Sequence, residues 1–292
     1  MTPPSSAPPG RYGFRCSACG KCCNSPPVMT LDELFHHERR FVGCLTLRQA
    51  PEPVRAGARI DGVEVSPATA GEARALHEAL GFAHGGVRWR VASRAYDYPS
   101  LGRCPALRDD GLCGVHDDRK PGLCGVVPLE PELPDGLQRI VLHRRASEAA
   151  YFGAACIRAE GAETDALVVG ERVVDAVYRQ ALARQRRRLV DEAEDWGHSL
   201  AAALVPVLGA APRGRSLAAG HLTLSLLPVL DVLSSRSAEQ SRRCVRYARA
   251  QLELIDASID RARARGHRAD RPVTQELRRF AQHYRAFVAG AV

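Results

Sequence analysis

Four cysteines fall within eight residues, at Cys16, Cys19, Cys22 and Cys23, and a segment so dense in thiols has few apolar contacts of its own to fold around. Three of them recur at i, i+3 and i+6, a spacing that lets one tight loop aim three sulfurs at a common centre, as ferredoxin-type loops do around an iron-sulfur cubane. Side chains of adjacent residues diverge, so Cys22 and Cys23 are not expected to hold the same ion. The pair points to either two metal centres side by side or one polynuclear centre.

Cys104, Cys113, Cys124 and Cys156 lie far downstream and bring the set to eight, which divides into two four-sulfur sites. Cys44 and Cys244 stand alone beside apolar neighbours and read as buried thiols with a packing role. A disulfide framework would need an oxidising compartment, whereas the first residues, MTPPSSAPPGRYGF, contain no apolar signal-like core, and ten cysteines in 292 residues is far below the density of a disulfide scaffold. The eight clustered cysteines are therefore expected to bind metal, and the protein is expected to be cytoplasmic.

At 292 residues and 45% hydrophobic composition the chain can form two modest domains or one large one with an ordinary core. Its longest apolar stretches, around Leu200–Ala211 and Leu217–Leu233, are short and contain Pro206 and Pro228, so no membrane span is expected. The net charge of +8 is almost all arginine, Lys21 and Lys120 being the only lysines. The longest basic run, Arg186-Arg187-Arg188, is followed at once by Asp191, Glu192, Glu194 and Asp195, which reads as a solvated helix of mixed charge rather than a nucleic-acid surface.

Along the chain, 1–10 is Pro/Ser-rich and expected to be disordered. Thr30, with Glu33 three positions on, is a capping box that should start a helix from Leu31 to about Phe41; His36 and His37 on it read as ordinary surface residues. Residues 45–86 look like a variable insert with one helix near Gly71–Leu80. Val87–Val91 alternates with period two and predicts a strand leading towards Tyr96 and Tyr98. Asp109-Asp110-Gly111 is a turn signal that should place Cys104 and Cys113 on the arms of a hairpin-like loop, and Leu137–Leu142 reads as a short strand. From about Glu163 the pattern turns helical, over Leu167–Leu189, Ser199–Leu208, Ala218–Leu233, Ala238–Ala264 and Thr274–Val288. The expectation is an α+β chain: a small irregular cysteine-rich domain with short strands over 11–160, then a mostly helical domain over 161–292.

Glycines crowd the thiols, among them Gly20, Gly111 and Gly122, and allow backbone N–H groups to converge on sulfur. Cations are interleaved at Arg15, Lys21, Arg103, Arg108, Arg119 and Lys120. Four thiolates around Zn²⁺ or a four-iron cluster leave a net charge of about −2, which such cations offset. Pro105 stiffens the loop beside Cys104.

The strings FRCSACGKCC (Phe14–Cys23), PVMTLDEL (Pro27–Leu34), CPAL (Cys104–Leu107), DGLCGVH (Asp110–His116) and RKPGLCGVVP (Arg119–Pro128) together resemble the CxxCxxCC, YkgJ-type cysteine-cluster family. These proteins are described as zinc- or iron-chelating, and flagellin lysine N-methylase is related to them. The likeness spans roughly residues 11 to 160, with Cys156 at the place of the family's last cysteine. Gly125, Val127 and His116 depart from its pattern, Gly125 standing where an arginine is usual. The resemblance implies metal ligation by Cys16, Cys19, Cys22, Cys23, Cys104, Cys113, Cys124 and Cys156, with an iron-sulfur cluster, iron or zinc as the cofactor and a redox or group-transfer role.

Two other readings stand beside it: a protein lysine N-methylase, and a structural zinc module supporting a helical domain that binds a protein partner or substrate. No glycine-rich dinucleotide fingerprint, P-loop, HExxH or Ser/His/Asp arrangement favours another chemistry.

Overall fold

The computed structural model describes residues 8–147, 156–160, 165–209 and 220–290; over 1–7 the tail expected to be disordered lies outside the described residues. The chain is α+β and forms two compact units that interleave in sequence. Met1–Asn24, Pro51–Leu80 and Leu107–Asp191 make the first, and Ser25–Ala50, Gly81–Ala106 and Glu192–Val292 make the second. The consecutive blocks expected at 11–160 and 161–292, and the insert at 45–86, do not coincide with these units. The reason is that strands remote in sequence pair with one another, so each unit draws on separated segments.

The first unit is built on a four-stranded antiparallel sheet in the order β7-β1-β8-β9: β1 is Arg11–Phe14, β7 Ile157–Ala159, β8 Ala166–Val169 and β9 Arg172–Val173. A two-stranded ribbon, β3 (Arg59–Ile60) with β4 (Val63–Glu64), leads to the helix α2 (Pro67–Leu80), which covers the helix expected near Gly71–Leu80. Three further helices follow: α3 (Gly122–Val126), α4 (Gln138–Ser147) and α5 (Ala176–Glu192). Tyr12, Val126, Leu129, Leu142, Cys156, Ile157, Leu167, Val168, Val173 and Leu182 form its core.

Two expectations are corrected in this unit. Leu137–Leu142 is not a strand; α4 begins at Gln138, because an apolar run as short as Ile140-Val141-Leu142 cannot distinguish the two periods. The buried Gln138 side chain also ties the helix start to its own entry loop, donating to the Glu130 and Leu133 carbonyls and accepting from Glu130 N–H. Leu167–Leu189 is not one helix either: β-branched Val168-Val169 and left-handed Gly170 (φ +58°) fold β8 back onto β9 before α5 begins.

The second unit holds the sheet β10-β2-β6-β5, made of β2 (Val42–Gln49), β5 (Phe82–His84), β6 (Val87–Tyr96) and β10 (His221–Ser225), all antiparallel. The expected strand at Val87–Val91 is thus the first half of β6. The stretch Ala218–Leu233, expected to be helical, is a strand over His221–Ser225 and only then the helix α7 (Leu227–Ser234), while Ala218 and Ala219 lie outside the described residues. In β10 leucines alternate with His221, Thr223 and Ser225, a period-two signal that the helical reading overlooked.

Helix α1 (Leu31–His36) has the expected capping box, Thr30 Oγ1 accepting from Glu33 N–H and Glu33 Oε2 from Thr30 N–H, but it ends at His36 rather than Phe41. His37 caps it, is buried, and sits edge-on to Phe41, so it is not a surface residue. A π-helical turn, Ala193–Gly197, precedes α6 (His198–Gly209). The long pair α8 (Ala238–Arg265) and α9 (Arg271–Gly290) confirms the helical C-terminal region. Ser237 caps α8 at its start and left-handed Gly266 (φ +65°) at its end. From α8, the buried Gln251 side chain accepts from Gly43 N–H and donates to the Glu38 and Phe41 carbonyls, fixing the start of β2. Among the described residues no helix is long and apolar enough to cross a membrane.

Candidate metal centre

The cysteine loop leaves the first unit's sheet at a defined point. Phe14 pairs with Ile157 across β1 and β7, and Arg15 N–H extends that ladder by bonding the Cys156 carbonyl at 2.9 Å. Cys16 therefore departs from the sheet where Cys156 enters it, although 139 residues separate them in the chain. The register of two short strands thus brings together the first and last members of the predicted ligand set.

Beyond Cys16 the loop curls on itself. Ala18 is left-handed (φ +52°), as is Gly20 (φ +68°), and Cys23 N–H closes a turn on the Gly20 carbonyl at 2.9 Å. A left-handed alanine costs about 1–2 kcal/mol, strain of the kind kept at sites that need a particular backbone path. One result is that Ala18 N–H points at Cys16 Sγ, 3.4 Å away, an N–H···S bond that stabilises a thiolate. Cys16, Cys19 and Cys22 are exposed, Cys23 is half-buried and Cys156 is buried.

Electrostatics couple Cys156 to the thiols of the loop. The Cys156 thiol is held above its ordinary pKa by burial and then by the thiol groups of Cys19, Cys16 and Cys22. Cys22 is pushed up most by a hydrogen bond to Cys23, with burial and the Cys23 charge adding and the Lys120 ammonium pulling the other way. Cys22 and Cys23 therefore meet rather than diverge, which corrects the expectation from their adjacency. Tyr178, in the first turn of α5, is raised to about 12 by burial and then by Cys16, Asp175 and Cys22. Its ring packs edge-on against Phe14 with centroids 5.9 Å apart.

The remaining members differ in placement. Cys113 lies on a tight hairpin, bridged to Leu107 and turned at left-handed Gly111 (φ +80°), as the Asp109-Asp110-Gly111 signal predicts. This hairpin packs on the first loop: a Cβ on Gly20 would come within 3.2 Å of the Leu107 side chain and 3.3 Å of the Gly111 carbonyl. Cys124 is carried by α3, whose chain entry holds Lys120. His116 is exposed, its N–H bonded to the Cys113 carbonyl at 3.3 Å.

Cys104 is not on the hairpin arm. It belongs to the second unit, is buried there, and accepts an N–H···S bond from Ala106 at 3.4 Å. Cys44 and Cys244 are also in the second unit and wholly buried, as their apolar neighbours indicate. None of the ten cysteines is in a disulfide.

Sequence reasoning identified the thiols and the cation at Lys120 but missed Tyr178. The available signal was Asp175, whose carboxylate caps α5 by accepting from Tyr178 N–H at 2.9 Å and so fixes the start of that helix.

As a donor set, Cys16, Cys19, Cys22 and Cys156 offer the sulfur ligands that a soft or borderline metal prefers: Cys156 feels the charge of the other three, Cys16 accepts an N–H···S bond and the Lys120 ammonium acts on Cys22. No family model matches the chain, and no curated protein or solved structure matches it either.

Proposed function

We propose that the first unit holds an iron-sulfur or polynuclear iron or zinc centre on its thiol cluster and uses it in a redox or group-transfer role. The observation that carries this reading is the meeting of the Cys16 and Cys156 backbones through the β1–β7 register, with Cys19 and Cys22 near enough to raise the Cys156 thiol further. Packing alone gives no reason to gather thiols at the surface, where three of the four are exposed. Cys23 lies against Cys22, while Cys113 and Cys124 supply further sulfurs from the same unit, enough for more than one metal ion. The bound group would supply electron-accepting or Lewis-acid chemistry. The chain would contribute thiolates, positive charge from Lys120, and a wall formed by Phe14 and Tyr178. An exposed face on such a centre suits exchange with a partner or substrate that reaches the protein from solution.

Anaerobic purification followed by iron, zinc and acid-labile sulfide analysis tests the reading. Iron with sulfide and visible charge-transfer absorption is expected, and Cys156→Ser should abolish both. A colourless zinc protein would keep the thiol centre and remove the redox role. A folded protein that takes up neither metal would overturn the proposal.

A further inference from the structure

Glu192 closes α5 and stands immediately before the π-helical turn, and its carboxyl group is buried against other parts of the second unit. Oε1 accepts Leu31 N–H, the first amide of α1, at 2.5 Å, and Oε2 lies 3.3 Å from Ser93 Oγ on β6. A serine hydroxyl has one proton. The closest partner of Ser93 Oγ is the Met29 carbonyl oxygen at 2.7 Å, which can only accept. That bond takes the serine proton. The contact between Ser93 Oγ and Glu192 Oε2 is then a hydrogen bond only when the glutamate carries the proton; otherwise two lone-pair oxygens face each other out of water.

The charged side chains around Glu192 favour the same state. The carboxyl groups of Glu33 on α1 and Asp195 on the π-helical turn both act to raise Glu192, and Asp195 is engaged by Arg236 at 2.8 and 3.0 Å. Burial first, with Glu33 and Asp195 adding, raises Glu192 to about 7, against the opposing pull of the Leu31 amide.

We propose that Glu192 is a proton-operated latch: as a neutral acid it bonds Ser93 of β6 and Leu31 of α1 together and holds the start of α1 on the sheet, and on ionisation it gives up the Ser93 bond and loosens that junction. When the folded-state pKa lies above the unfolded value, the contribution is fully present below the ordinary carboxyl pKa and is lost as pH rises through the folded one. The latch is therefore closed in mild acid and opens near neutrality. The π-helical turn is the adjacent element able to take up the change, since such turns interrupt regular α-helical hydrogen bonding and recur at functional positions.

The test is thermal denaturation of the whole protein from about pH 5.5 to about pH 8.5, for the unaltered chain and for Glu192→Gln, with the infrared band of a protonated carboxyl as a second readout. A glutamine amide keeps a donor for Ser93 at every pH. The unaltered protein should lose several degrees of Tm across the range relative to the variant, and its carboxyl band should fade as pH rises and be missing from Glu192→Gln. Parallel melting curves, or no protonated band in mild acid, would overturn the latch. If Glu192→Gln does not fold, Ser93→Ala decides: removing the acceptor should move the midpoint of the band to lower pH, and an unmoved midpoint counts against the proposal.

Discussion

The two units use cysteine in opposite ways. In the second, Cys44 and Cys244 are wholly buried and behave as small apolar side chains, with the Cys44 thiol raised to about 12 by burial. In the first, Cys16, Cys19 and Cys22 stand at the surface on a loop with a left-handed alanine. Cys44 and Cys244 are explained by the core around them, whereas packing does not explain the exposed thiols of the first unit's loop.

The largest expected effect that would sharpen this contrast is in thiol reactivity. In metal-free reduced protein at about pH 8, an exposed thiol should alkylate at least about 10³-fold faster than Cys44, whose thiolate is scarce when its pKa is so far above the solution pH. Mass spectrometry after timed iodoacetamide treatment reads this directly for Cys16 and Cys44. Comparable rates would mean that the second unit opens far more readily than its packing indicates.

Next in size is Gly43→Ala. A Cβ there would lie 2.2 Å from Tyr247 Oη and 2.8 Å from Leu226 Cδ1, so overpacking should cost about 3 kcal/mol while metal content stays the same. A variant that unfolds normally in urea but loses metal would break the separation between a packed unit and a ligand-organised one.

Smallest are the changes at the buried thiols themselves. Cys44→Ala should cost about 1–2 kcal/mol, the price of a small cavity, and Cys244→Ser should leave metal stoichiometry unchanged. Loss of metal in either would show that the ligand set has been misassigned.

The sequence made the thiol-dense loop, the α1 capping box, the helices α2, α8 and α9 and the turn at Gly111 legible, because each is a local signal carried by a few neighbouring residues. What it could not carry was partnership between remote segments. Nothing near Cys156 announces that it will meet Cys16; that follows from Phe14 pairing with Ile157. The same cause hid the interleaving, since most of β2, from Leu45 to Gln49, reads as part of a variable insert until Val87–Tyr96 and His221–Ser225 flank it. At Leu167–Val173 a hairpin resembled helix because two short β-branched strands also satisfy a loose helical spacing. The placement of Cys104 in the second unit had no local signal at all.

The interleaving also sets an order of events on the ribosome. Every segment of the first unit has been synthesised once Asp191 is made, but the second needs the stretch from Glu192 to Val292. At about 5–20 residues per second, that stretch takes about 5–20 s. During this interval the first unit can fold, while β2 waits for β10 with one edge unpaired. A nascent chain of this design carries exposed thiols on a finished unit and an open strand edge on an unfinished one, so protection from oxidation and from aggregation is needed at the same moment.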